Sequence, residues 1–590
     1  MTSVQRTGTG DLPFDQIDGW FSRIEQAISA ADEVALSALF QRDSYWRDLL
    51  ALTWKIRTVK GGDAIAHKLL IDVKAADPAG FKIDVSRTPP RSVVRAGVDA
   101  IEAIFSFETK LGVGAGVVRL TPDQDGGLKA WTLMTALDSL NGFEERTGRR
   151  RPSGHAYARS FGGPNWLDKR HAARAYQDRE SAVLVVGGGQ AGLSIAARLT
   201  HLGVDTLIID RHERVGDNWR KRYHALALHN QVHVNHLPYM PFPPTWPTYI
   251  PKDMLAHWFE AYAESMELNF WTGFDFVGGV YDDNAKRWAA TLRRADGSTC
   301  KVHPRHIVMA TGASGIPNLP NIPSLQDFEG EVLHSSRYQD GGDWADRKAL
   351  VIGTGNSGHD IAQDLHSSGA RVTLVQRSPT LIVSVEPTAQ LPYALYDEGP
   401  PLEDCDLIAS SMPFPLMREA HRQITEKGKL LDKTLLDDLT KVGFKLDFGE
   451  DDTGWQFKYL TRGGGYCFNV GCSDLIVDGE IDLLQFDDIE TFTWDGVALK
   501  NGERIALDLI VLATGYKGQE ALVEEKFGEE VAERIGPIWG FGERLELRNM
   551  YCRTAQKGLW FIAGSFAQCR IYSKYLGLQI KACEEGFLSL

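Results

Sequence analysis

Two short glycine-rich stretches carry the clearest chemistry in this chain. The first is Val183-Leu184-Val185-Val186-Gly187-Gly188-Gly189-Gln190-Ala191-Gly192; the second is Ala349-Leu350-Val351-Ile352-Gly353-Thr354-Gly355-Asn356-Ser357-Gly358. Each reads as a β-strand entering G-x-G-x-x-G and then a helix, the loop whose backbone N–H groups and helix N-terminus close around a pyrophosphate. The expected contacts are Gly187, Gly189, Gln190, Ala191 and Gly192 in the first loop, and Gly353, Gly355, Asn356, Ser357 and Gly358 in the second. Two such loops imply two dinucleotides. The usual pairing is FAD with a nicotinamide that supplies it with hydride.

Flanking residues tell the two sites apart. After the first loop, Leu193, Ile195, Ala196 and Leu199 follow at helical spacing, and Val204 to Ile209 reads as a strand ending in Asp210. That carboxylate stands near the roughly 20-residue offset at which an acid bonds a ribose 2′-hydroxyl. In the second site Val372 to Val375 is the matching strand, and Gln376, Arg377 and Ser378 occupy its end. Losing the acid removes repulsion toward a 2′-phosphate, and a guanidinium pairs with one. The second site is therefore expected to take NADPH, with NADH also accepted. Arg211 follows Asp210 in the same way, so an arginine there also reads as a solvated strand end.

The elements that must position these loops fall into three units. Residues 181–340 and 500–590 are expected to form an FAD-binding domain, and residues 341–499 an NAD(P)H-binding domain with a helical insertion at 380–465 that lids or lines the substrate cavity. Two strands leaving through Ala-Thr-Gly, at Ala310-Thr311-Gly312 and Ala513-Thr514-Gly515, mark places where small residues let backbone approach a cofactor. Residues 146–180, with Arg146, Arg149, Arg150 and Arg151 and then Gly162-Gly163-Pro164, read as a linker. Residues 1–145 stand apart. Phe14 to Phe40 has helical periodicity, Ala51 to Val59 reads as a strand, and Asp63 to Ile71 and Gly97 to Phe105 as helices. Gly114 to Leu120 and Leu128 to Leu137 complete the unit as strands.

Composition closes off other classes. The 590 residues carry a formal net charge of −14, which disfavours a nucleic-acid partner. No apolar run reaches the roughly 18 residues of a membrane span, and residues 1–11 are polar where a secretion signal would be apolar. Seven scattered cysteines suggest reduced thiols and a cytoplasmic setting. Cys467 and Cys472 form a C-x4-C pair, but it follows the second loop instead of the first, so both read as structural. His229, His233 and His236 lie close together without a completing carboxylate or thiolate, and no metal site is expected.

Between the two loops lies Phe328-Glu329-Gly330-Glu331-Val332-Leu333-His334-Ser335-Ser336-Arg337-Tyr338. This F-x-G-x-x-x-H-x-x-x-Y run resembles the signature of the flavin-containing monooxygenases. Gly216-Asp217-Asn218-Trp219 resembles the stretch that wraps the flavin after its first βαβ, the stretch from Leu226 to Pro243 is similar to the plant YUCCA-type enzymes, and Gly558 to Gly564 resembles the closing flavin contacts. With its N-terminal extension the chain looks most like type II flavin-containing monooxygenases. The order of elements in 1–145, with Tyr45 to Trp54, resembles the nuclear-transport-factor-like cone. The implied fold is α/β, two three-layer Rossmann-type domains preceded by an α+β cone. The resemblance implies a monooxygenase that uses a C4a-(hydro)peroxyflavin to insert one oxygen atom from dioxygen into a small molecule, by Baeyer–Villiger oxidation of ketones or by N- or S-oxygenation. It also implies cofactor contacts at Asn218, Trp219, Thr311, Gly312, Thr514 and Gly515, an active-site amide at Asn235, and a homodimer through the cone. Asn235 also reads as a turn-capping residue. An NADPH oxidase, a disulfide reductase-like flavoprotein and a non-catalytic dinucleotide sensor are the competing functions.

Overall fold

The computed structural model describes residues 14–153, 161–312, 315–543 and 545–590; the polar stretch 1–11 lies outside them. Two five-stranded parallel sheets hold the glycine loops. The first runs in the order Asn269–Thr272, Thr206–Asp210, Val183–Val186, His306–Met309, Leu559–Phe561. The second runs Glu331–His334, Leu509–Leu512, Lys348–Ile352, Arg371–Gln376, Asp482–Gln485. The central strands are short and apolar throughout, as strands covered on both faces must be. Each fingerprint strand passes into a helix, Gln190–His201 in the first sheet and Asn356–Ser367 in the second.

The boundary between the two domains differs from the sequence expectation. Glu331–His334 and Leu509–Leu512 both belong to the second sheet, where Leu509–Leu512 lies directly beside the fingerprint strand. The two Ala-Thr-Gly exits therefore occupy equivalent places, each just beyond the strand that neighbours a glycine loop. Their likeness in sequence reflects equivalent packing under two loops.

Residues 40–140 form a seven-stranded sheet in the order Ile56–Lys60, Phe40–Leu49, Leu128–Leu140, Gly112–Pro122, Val98–Glu108, Ala79–Ile83, with Arg91–Arg95 also paired to Val98–Glu108. The helix expected over Gly97 to Phe105 is part of a strand. Ala103, Phe105 and Phe107 point to one face while Glu102 and Ile104 are buried on the other, so no alternation could be read. Gly114 and Gly116 make room for the Phe107 and Phe105 rings. Phe40–Leu49 was likewise missed, because its buried charges Arg47 and Asp48 break the apolar pattern.

Both broad faces of this sheet are covered within the chain. Phe21 of helix Phe14–Ala30 packs on Phe105 with ring centroids 5.1 Å apart. On the other face Arg47 pairs with Glu546 through bonds of 2.8 and 2.6 Å, and Lys574 of the closing helix Phe566–Glu584 bonds Asp138 at 2.5 Å. One continuous apolar core joins this sheet to the first Rossmann sheet. The expected linker contains a helix of its own, Trp166–Ala175, opened by an Asn165/Asp168 capping box and tied to Leu268 by Arg170. The insertion supplies Thr388–Asp397, Leu402–Ser410, Phe414–Leu431, Lys433–Lys441 and Gly454–Arg462.

Candidate active site

Steric necessity explains the glycines of both loops. Gly187 has φ +107° and Gly353 +120°, a region that suits glycine. A Cβ on Gly187 would lie 2.6 Å from the Ala310 carbonyl oxygen, and one on Gly353 would strike that of Ala513. A Cβ on Gly192 would collide with the carbonyl of Gly187, and one on Gly358 with that of Gly353. Gly192 and Gly358 therefore serve close packing of helix on loop and do not line the cavity. The other expected glycines do.

The loops open into one cavity of about 2080 Å³, larger than the roughly 300–1,000 Å³ that one small ligand occupies. At its first end Asp210 accepts from Gly188 N at 2.7 Å and His212 N at 2.9 Å, which fixes the carboxylate against the loop. Gln190 reaches across to the Gly564 carbonyl at 3.2 Å. Ala191, Arg211, Asn218, Trp219, Thr311 and Gly312 line the same end. The Thr311 hydroxyl and the Trp219 indole N–H are buried there without a protein partner. Polar atoms so placed fit a bound dinucleotide, since buried donors are normally satisfied.

At the second end Gln376, which stands where the first site has Asp210, is buried, donates to the Lys445 carbonyl at 2.9 Å and accepts from Lys445 N at 2.8 Å. Arg377 and Ser378 line the cavity beside Gly355, Ser357, Thr514 and Gly515. Asn356 also lines it and accepts from Phe468 N at 2.8 Å. The run Gly463-Gly464-Gly465 forms part of the adjoining wall.

Asn235 is the clearest departure. It is buried but does not line the cavity, and its amide donates to the carbonyls of Asn230 at 2.9 Å and Gln231 at 3.1 Å. The turn-capping reading is the one its geometry fits. Asn230, which sequence reasoning passed over, lines the cavity and donates to the Tyr393 hydroxyl at 3.1 Å. Burial pushes the Tyr393 phenol up to about 12, so it stays protonated at neutral pH. Arg570 steadies the same turn, bonding the carbonyls of Val234 at 2.8 Å and His236 at 2.7 Å while forming a two-bond pair with Asp406. Nothing in the one-dimensional pattern separated Asn230 from Asn235; only the direction of the turn does.

The signature residues hold the scaffold. His334 bonds the Gly515 carbonyl at 3.0 Å and Ser336 at 2.9 Å, with burial lowering its pKa. Cys467 and Cys472 are buried free thiols outside the cavity lining, and burial raises both. Among the described residues no group of His, Cys, Asp and Glu is arranged to hold a metal, and no helix is long and apolar enough to cross a membrane.

This geometry defines a two-dinucleotide oxidoreductase. The family model "Pyridine nucleotide-disulphide oxidoreductase" matches residues 184–391. "Indole-3-pyruvate monooxygenase YUCCA1" of Oryza sativa subsp. japonica is 30% identical over 355 residues, covering 60% of this chain and 80% of that protein. "Probable indole-3-pyruvate monooxygenase YUCCA10" of Arabidopsis thaliana is 29% identical over 389 residues, 64% of this chain and 94% of the relative. Among solved structures, the closed crystal structure of cyclohexanone monooxygenase superposes with a TM-score of 0.51 at 18% identity, covering 69% of this chain and 85% of that one. The chain belongs to the YUCCA-like flavin-containing monooxygenases and is a flavin monooxygenase that uses FAD and NADPH.

Proposed function

We propose that the enzyme transfers one oxygen atom from dioxygen to a small organic substrate, either beside a ketone carbonyl or onto a soft nitrogen or sulfur. The observation that carries this reading is the shared cavity: both glycine loops open into a single space that extends under the helical insertion. In this reading FAD lies on Gly187, Gly189, Asp210, Asn218, Trp219 and Thr311. NADPH lies on Gly353, Gly355, Asn356, Ser357, Arg377 and Thr514. Bound together, the cofactors supply hydride transfer and oxygen activation. The chain supplies position, dryness and proton control. The Thr311 hydroxyl and Trp219 N–H are polar groups waiting for partners at the flavin end.

Asn230 and Tyr393 form the polar pair of the reaction chamber, with the phenol holding its proton at Oη. Asn235 acts behind them by fixing the turn. Arg377 is exposed at the cavity wall and favours a 2′-phosphate, which no carboxylate at the end of that strand repels; NADH, which lacks this phosphate, gains nothing from the arginine. The free thiols fit a reducing, cytoplasmic setting. The test is aerobic NADPH oxidation with a cyclic ketone and with a thioether, followed by mass analysis. A gain of one oxygen atom by either supports the reading. Stoichiometric hydrogen peroxide with both substrates unchanged would replace it with an NADPH oxidase. Asn230→Ala should divert reducing equivalents to peroxide while leaving flavin content intact.

A further inference from the structure

Helix Phe414–Leu431 of the insertion turns a stripe of Phe414, Met417, Ala420, His421 and Ile424 toward the cavity. Spacings of three and four residues put all five on one face. One flank of the helix is charged and tied down: Arg422 meets Asp451 at 3.1 Å, and Lys429 meets Asp452 at 3.1 Å. Gln423 donates to the Ala96 carbonyl at 3.3 Å, and Gly454 of the next helix leaves room for the Thr425 hydroxyl. The stripe therefore has a defined position.

His421 is the one member of the stripe whose side chain can hydrogen-bond. It is 7% exposed, and its ring meets that of Phe457 edge-on with centroids 5.6 Å apart. Among the described residues no hydrogen bond or ion pair engages either ring nitrogen; the one bond at this residue is made by its carbonyl. A histidine serving the core looks different in this chain, since His306 and His334 each have a partner at both nitrogens. Burial lowers the His421 pKa to about 4, with no charged neighbour acting on the ring. At neutral pH the imidazole is uncharged, with one N–H to give and one lone pair to receive.

The neighbouring helix Gly454–Arg462 repeats the pattern. Trp455 and Gln456 line the cavity, and the Trp455 indole N–H and the Gln456 amide oxygen are buried without a protein partner. Buried polar groups are normally satisfied, so a wall carrying several that are not suits a molecule that supplies the partners. Trp455 packs on Tyr393 with centroids 6.0 Å apart, which makes this wall continuous with the Asn230–Tyr393 pair.

We infer that this wall is a substrate subsite in which the His421 imidazole donates to an uncharged acceptor oxygen of the bound molecule, while Phe414, Met417 and Ile424 cover its hydrocarbon body. An anionic group is costly against this stripe, because it would lose water without meeting a cation there. The assignment deepens the oxygen-transfer reading above and rests on it only for the fate of the molecule once bound.

The test uses the full-length, FAD-loaded protein without NADPH, so that binding is read apart from turnover. Acetophenone and its methylene isostere α-methylstyrene, which lacks the acceptor oxygen, are titrated against protein carrying isotope-labelled histidine. Acetophenone should move the His421 ring signal, identified by its absence from His421→Gln, and α-methylstyrene should move it less. His421→Phe should shift the ratio of the two affinities about fivefold toward the hydrocarbon, the scale of one neutral hydrogen bond. His421→Gln, which keeps a donor, should shift it less; thermal unfolding of both variants is measured alongside. An unmoved His421 signal, or an affinity ratio unchanged in His421→Phe, overturns the assignment. The expected shifts in a protein that oxygenates nothing once NADPH is added support the subsite and overturn the monooxygenase chemistry instead.

Discussion

Tyr338 donates its hydroxyl to Asp364 Oδ2 at 2.6 Å, fastening the last residue of the signature run to the helix that follows the second glycine loop. The other fixed residues of that run act alike. Phe328 is buried in the second domain's core, Gly330 leaves space for the Phe328 ring, and His334 braces the Gly515 exit. The four fixed residues thus assemble the second end of the cavity, and none of them lines it.

Tyr338→Phe keeps the ring and removes the hydroxyl, leaving the Asp364 carboxylate without this donor. The expected loss is about 1–2 kcal/mol of stability, measured by chemical denaturation. FAD content should not change. A variant as stable as the parent would remove the tether from the account.

The two glycine loops should be separable by mutation. Gly187→Ala forces a Cβ to within 2.6 Å of the Ala310 carbonyl oxygen and should yield colourless protein. Gly353→Ala makes the equivalent collision with Ala513 and should keep the yellow flavin while losing hydride transfer from NADPH. Rapid-mixing spectrophotometry distinguishes the two. Loss of flavin from both variants would mean that the second loop supports the first domain's fold.

Arg377 is exposed on the cavity wall, and no salt bridge or hydrogen bond engages its side chain among the described residues. Arg377→Ala should weaken NADPH by about 1.5–3 kcal/mol, the range of a charge-assisted hydrogen bond. NADH should be nearly unaffected. Steady-state KM values for the two donors decide the matter, and equal losses would assign the arginine to a phosphate that both share.

Much of this was legible in the sequence because it rests on local rules. The loops, their flanking strands and the acid at Asp210 follow from backbone requirements of a few consecutive residues. What was not legible depends on pairs far apart in the chain. Strand Phe40–Leu49 hides behind Arg47, whose charge is compensated by Glu546 nearly 500 positions later. Strand Val98–Glu108 is buried on both faces, so its period vanished. Asn235 and Asn230 differ only in which way a turn points them, and domain membership of Leu509–Leu512 depends on the strand beside it.

The Arg47–Glu546 pair joins the N-terminal sheet to the catalytic body with 1% and 6% of the side chains exposed. Removing one partner strands the other, so Glu546→Leu should cost about 3–5 kcal/mol. Replacing both, with Arg47→Met added, should recover much of that loss, because an apolar pair needs no compensating charge. A double-mutant cycle in denaturant measures it. Additive losses would show that the two residues act independently.

The Glu102 carboxylate, buried against three arginines, gives a pH dependence of definite sign. Burial opposes ionisation of Glu102, but Arg119, Arg95 and Arg91 outweigh it and hold its carboxyl at about 2, against an ordinary 4.5. A lowered folded pKa contributes stability that is complete above the unfolded value and fades as the pH drops through the folded one. The contribution here is about 3 kcal/mol, present at neutral pH and lost between about 4.5 and 2. Glu102→Gln has no proton to gain, so the stability gap between it and the parent should be widest at neutral pH and close on acidification within that window. Denaturant titrations of both proteins through the acid range provide the comparison. A gap that stays constant would show that the three arginines do not favour the ionised form of Glu102.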